Sequence, residues 1–326
     1  MSIVIGNKTI SSIQIGNKTV ERIEIGGKTA YELPDYLCFT DVSGSSNTLT
    51  LTKNGNAPTV SLEYSTDKVN WTTWTENNGV RTYIIPANGK VYLRGDNTAF
   101  GYSQNNTDYH NFSSTGNVNT SGDLMTIIDK TGQTKTIETA AFKLLFINWT
   151  TLITAPSISA TTVGENGMNN MFYGCSNLVS TPSMTISSIN GGGACNNMFN
   201  GCSSLTDTSG LKLNATSLPN GAYKQMFRGC SNLVTPPEIM ATSLSDGSGN
   251  TQNGSLAYMF YGCSKLNTIK VHFTSWNSGN CTRDWTYGTK SSGTFYKPSS
   301  LPSTKNTSGN TSNPHYIPYN WTVTNI

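Results

Sequence analysis

One octapeptide is written four times in this chain, and it limits the possible folds more than any other feature. Met171-Phe172-Tyr173-Gly174-Cys175-Ser176-Asn177-Leu178 recurs from Met198, Met226 and Met259, which puts Cys175, Cys202, Cys230 and Cys263 at separations of 27, 28 and 33 residues. A period of that size marks a solenoid, in which each coil buries its apolar face only against its neighbours. Degenerate copies flank the four. Leu145-Phe146-Ile147-Asn148-Trp149 has tryptophan in the cysteine position, and Phe295-Tyr296-Lys297-Pro298 keeps the aromatic residue. Six coils are legible, and the outer two are degenerate because a terminal coil lacks a neighbour on one face.

Each repeat position has a physical reading. Phe142, Met168, Cys195, Tyr223 and Leu256 stand three residues before Leu145 or the repeated Met. With the aromatic next in line, this i, i+3, i+4 spacing predicts a short helix. Gly174, Gly201, Gly229 and Gly262 would end it. Beyond the glycine, Leu178, Leu205, Leu233 and Leu266 follow the cysteine by three, and a short extended run begins. In the last such run Ile269, Val271 and Phe273 alternate with Lys270 and His272, so His272 reads as a solvent-facing strand residue. A strand and a short helix in about 27 residues is a leucine-rich-repeat type of coil. Its expected core is Phe146, Trp149, Met171, Phe172, Cys175, Leu178, Met198, Phe199, Cys202, Leu205, Met226, Phe227, Cys230, Leu233, Met259, Phe260, Cys263 and Leu266.

Seven cysteines raise the question of disulfides. Four of them share one repeat position, which Trp149 and Pro298 fill elsewhere, so no partner sulfur is required and free thiols acting as small buried hydrophobes are expected. One ligand type strung along a stack does not build a tetrahedral metal site, so neither metal nor cofactor is expected. Cys38 and Cys281 have no assigned place.

The first 32 residues carry a different repeat. Ile3-Val4-Ile5-Gly6-Asn7-Lys8-Thr9-Ile10 returns from Ile13 and again from Ile23. Gly-Asn or Gly-Gly between β-branched runs reads as strand, tight turn, strand. Units this small need a partner to cover Ile3, Ile5, Ile13, Ile15, Ile23 and Ile25. That partner is either the next domain or another chain, and the second option makes residues 1–32 an assembly segment of a homotrimer. From 33 to 137, alternating runs punctuated by Asn54-Gly55, Asn78-Gly79 and Asn88-Gly89 suggest a β-sandwich-like domain, with one of Trp71 and Trp74 in its core. The expected fold is therefore mainly β with short helices: an anchor, a sandwich and a solenoid over 138–326.

Two family resemblances follow from these motifs. Met-Phe-x-Gly-Cys-Ser-x-Leu resembles the BspA-like leucine-rich repeats of bacterial surface proteins and of phages that infect gut Bacteroidetes. The stretch from Trp276 through Phe295 to Trp321 looks like the C-terminal cap of that group. The N-terminal decapeptide is similar to the N-termini of virion structural proteins of phages and prophages. The resemblance implies a recognition role and names no ligand.

Composition bears on the remaining classes. Charged residues make up 12% of the chain with a net charge of +3, which is no nucleic-acid footprint. No apolar run approaches the roughly 18 residues of a membrane span, so no membrane insertion is expected, and no secretory signal is legible. The three histidines stand beside no carboxylate or cysteine at a ligand spacing, and no carboxylate pair forms a motif, so an enzyme is not expected. Trp276, Trp285 and Tyr287 cluster after the last full coil, where they either seal the solenoid or bind a ligand. The expectation is a phage virion protein, a fibre or decoration of head or tail on the virion surface. Its N-terminus would hold other virion proteins, and its solenoid a host cell-surface glycan or protein. The alternatives are a bacterial cell-surface adhesin and a polysaccharide depolymerase.

Overall fold

The computed structural model describes residues 33–326 except 103–104, 248–252, 277–279 and 308–314, and within 1–32 the backbone of six short strands. Those six strands form three antiparallel pairs: Ile3–Ile5 with Lys8–Ile10, Ile13–Ile15 with Lys18–Val20, and Arg22–Ile25 with Lys28–Glu32. The turns between them, and the side chains of Ile3, Ile5, Ile13, Ile15, Ile23 and Ile25, lie outside the described residues.

Strands dominate the remainder. In a six-stranded sheet, Leu37–Asp41 lies antiparallel between Lys90–Gly95 and Val118–Ser121. In a three-stranded sheet, Asn47–Asn54 lies between Val80–Ile85 and Tyr109–Ser114. Alternation decides the faces: Leu49 and Leu51 are fully buried while Thr48, Thr50 and Thr52 point outward. Asn78 and Gly79 both adopt positive φ, 48° and 80°, as a two-residue hairpin turn between Asn77 and Val80 requires. Trp74 enters the core, whereas Trp71 lies outside it with the Arg94 guanidinium 4.0 Å from its ring centroid.

The solenoid grows from the edge of the larger sheet. Leu152–Thr154 pairs in parallel with Val118–Ser121, and Thr154, Ser180 and Asp207 carry that ladder forward. A second ladder joins Thr136–Ile137, Thr162–Val163 and Ser188–Ile189. A third links Met184–Ile186 to Leu211–Leu213, then Ile239 and Val271. The stack runs to about seven turns, one more than the sequence repeat shows. The closing rung is Thr322–Asn325 on Thr294–Lys297. Phe295 is not the degenerate octapeptide copy expected from the sequence: it pairs with Ile269 in a strand, and the turns of that coil run through Trp285 and Tyr287 to Gly288, which stands over Gly262.

The helix expected over Met168–Gly174 and its equivalents does not form. Among the described residues the helical segments are single 3-10 turns at Leu124–Ile127 and Asn280–Thr282. The octapeptide is instead a ribbon of successive turns. The amides of Met168, Asn170, Phe172 and Gly174 donate to Ala194, Asn196, Met198 and Asn200 of the next coil, while those of Asn169, Met171, Tyr173 and Cys175 donate three residues back. Positive φ returns every fourth residue, at Asn166, Asn170 and Gly174, and a right-handed helix cannot pass through that conformation. Alternate amides are thereby freed to bond along the stack. A turn period of four still places Met168, Met171, Phe172 and Cys175 on one inner side, which is why the spacing imitates a helix.

Candidate binding groove

Every residue of the expected repeat core is buried. Phe146, Phe172, Phe199, Phe227 and Phe260 stack face to face, with successive centroids 5.1, 5.4, 5.4 and 6.0 Å apart and planes within 18° of parallel. The column meets Phe112 at 5.7 Å at one end and Trp285 at 6.1 Å at the other. Each repeat thiol donates to a phenylalanine carbonyl of the preceding coil: Cys175 to Phe146, Cys202 to Phe172, Cys230 to Phe199 and Cys263 to Phe227, at 3.0 to 3.1 Å. All seven cysteines are free and buried.

Of the three aromatic residues proposed above for ligand binding, two are excluded by burial. Trp285 is 0% and Trp276 6% exposed; they pack on Phe273 and Phe295, and their indole N–H groups donate to Tyr316 and Pro302 carbonyls at 3.1 and 2.8 Å. They seal the end of the column because the stacked rings leave one open face there. Tyr287 stays partly exposed, but its ring stacks on Tyr261 at 4.6 Å, so ligand stacking on that face is blocked.

A concave site lies elsewhere, on the third ladder. A groove of about 410 Å³ is lined by Asp207, Ser209, Lys212, Asn214, Pro236, Glu238 and Met240. A second, of about 420 Å³, shares Thr235, Pro236 and Glu238 and continues over Lys270, Tyr296 and Ile326. The strands explain this lining. Leu211, Leu213, Ile269, Val271 and Phe295 turn inward, which forces Lys212, Lys270, His272 and Tyr296 outward. Parallel register then sets Lys212, Glu238, Lys270 and Tyr296 in one column.

Glu238 is the hub of this column. Its Oε1 accepts from Lys270 Nζ at 2.9 Å and also bonds His272 Nε2. Partial burial pushes its carboxyl up, but the hydrogen bonds from His272 and Lys270 outweigh this and hold it below the ordinary value of 4.5, so it is an acceptor at neutral pH. His272, read as simply solvent-facing, is 28% exposed and part of this cluster. The groove escaped the sequence reading because Lys212, Glu238, Lys270 and Tyr296 share a column without sharing a residue type. The alternations Leu211-Lys212-Leu213 and Ile269-Lys270-Val271 were the available signal.

Among the described residues no group of three or more His, Cys, Asp or Glu is placed to hold a metal ion, and no helix is long and apolar enough to cross a membrane. Comparison with protein-family models, curated proteins and solved structures finds no match to this chain.

Proposed function

We propose that this chain is a display protein of a phage virion, a fibre or decoration of head or tail. In this reading residues 1–32 join it to other virion proteins as a homotrimer, 33–137 is a sandwich-like adaptor, and the solenoid is offered to the host surface. The observation that carries the reading is a solvent-open groove on a scaffold whose alternate amides bond from coil to coil, a surface built to hold side chains in fixed positions. The likeness of the octapeptide to BspA-like repeats, and of the decapeptide to virion N-termini, supports the assignment to a virion.

The test has two arms. Native mass measurement is expected to find a trimer, and removal of 1–32 to give a monomer that is absent from virions. The purified full chain is expected to compete with virions for adsorption to host cells. A monomeric full chain with virion incorporation unchanged after the truncation would defeat the attachment role, and undiminished virion adsorption in the presence of excess purified chain would defeat the recognition role.

A further inference from the structure

We infer that the groove along Lys212, Glu238, Lys270 and Tyr296 binds a neutral, hydroxyl-rich glycan lying along the stack axis. The inference deepens the recognition role proposed above and rests on it only for the source of the glycan.

Four observations lead there. First, the groove is long and shallow. Lys212 and Tyr296 are three rungs apart, about 14 Å at the ~4.8 Å spacing of paired strands, and the two hollows between them join at Pro236 and Glu238. An extended chain fits such a site better than a compact metabolite.

Second, its charges alternate in sign. Lys212, Glu238 and Lys270 follow one another along it as base, acid, base, and Asp207 adds a second acid on the same coil as Lys212. A polyanion would meet Asp207 and Glu238, and a polycation would meet the lysines. A neutral polyol can donate to the carboxylates and accept from the ammonium groups.

Third, the groove has an apolar end, where Pro236, Tyr296 and Ile326 border Glu238 and Lys270. Ile326 is 49% exposed. A pyranose ring presents a C–H face beside its hydroxyl rim, and apolar contact next to convergent polar groups suits both.

Fourth, the strands beneath the groove are occupied. Met240 and His272 donate to the Leu213 and Ile239 carbonyls, and Val271 to Tyr296. An extended peptide docking by strand addition needs an unpaired sheet edge, and this surface is a sheet face. Side chains alone must do the recognising. They offer hydroxyl-binding groups at rung spacing.

The experiment titrates the full chain with neutral malto-, manno-, cello- and chito-oligosaccharides by calorimetry, with polygalacturonate and an extended threonine-rich peptide as contrasts. At least one neutral oligosaccharide is expected to bind. Glu238→Gln and Tyr296→Ala should each weaken that binding about tenfold, the cost of one charge-assisted hydrogen bond or one buried ring contact. Lys212→Ala, on an exposed side chain, gives a variant whose folding is not in question, and it should weaken binding severalfold. Tyr173→Ala, on the turn ribbon, should leave binding unchanged. The proposal is overturned if no neutral oligosaccharide binds at millimolar concentration, if polygalacturonate or the peptide binds in preference, or if the Glu238→Gln/Tyr296→Ala double variant binds as the parent does. Native mass and virion incorporation of the same variants do not depend on the groove. Loss of sugar binding with those intact would therefore remove this inference and leave the display reading standing.

Discussion

At the scale of the residue, the repeated cysteine shows how one side chain can serve two ends. Its sulfur fills a small apolar space, and its S–H gives the Phe172 carbonyl, already bonded to the Cys175 amide, a second partner from Cys202. Alanine in this place would supply no donor, and the stack would lose one contact per rung. Burial pushes the Cys175 and Cys263 thiols up to about 12, opposed in part by hydrogen bonding from the backbone at Trp149 and Cys230 respectively. Cys202 and Cys230 are raised as well, first by burial. Since the thiolate is the reactive form, a thiol reagent at pH 8 is expected to label none of the seven cysteines in the folded chain and all seven after denaturation. Rapid labelling of the native protein would show that the thiols are not held as described.

At the scale of the element, the turn ribbon depends on backbone that only some residues accept. Gly201 has φ 79°, and a Cβ added there would lie 3.6 Å from the Gly174 Cα, an ordinary contact. Substitution therefore costs conformation and not space. Gly201→Ala should destabilise the protein by about 1–2 kcal/mol, and Gly201→Asn by less, since asparagine tolerates this region and Asn148 already occupies it two coils earlier in the same column. Equal melting temperatures for the parent and the alanine variant would contradict the ribbon geometry. The same element marks the limit of what the sequence discloses. The octapeptide reveals the period, the inner residues and the coil-to-coil stacking, because burial is periodic. It conceals that the segment is a ribbon, because a turn repeat of four residues and a helix repeat of 3.6 place nearly the same side chains inward. The groove is concealed for the opposite reason: ligand-facing positions are free to vary, and repetition highlights only what stays constant.

At the scale of the whole molecule, one hydrophobic cluster runs from Leu37 to Trp321. Phe39 and Phe112 pack against Trp149 at 5.8 and 6.3 Å, so the first coil is finished by residues that precede the repeat. A chain cut between residues 137 and 138 would bare Phe146 and Trp149. The fragment 138–326 is expected to precipitate or to melt well below the intact protein, which should itself unfold in a single transition. Two transitions in the intact chain, one of them matching the fragment, would show the halves to be independent. The coil lengths hold a further consequence. Spacings of 27, 28 and 33 residues between cysteines all yield the same ring column, with steps of 5.4 to 6.0 Å. Registration is thus counted in rungs and is indifferent to how many residues each coil spends on its outer loops. A gene that duplicated one coil would move the tip about 4.8 Å further from the base while leaving the seal at each end untouched. Reach can then be tuned in discrete steps by unequal recombination, independently of whatever the tip and the base have each been selected to hold.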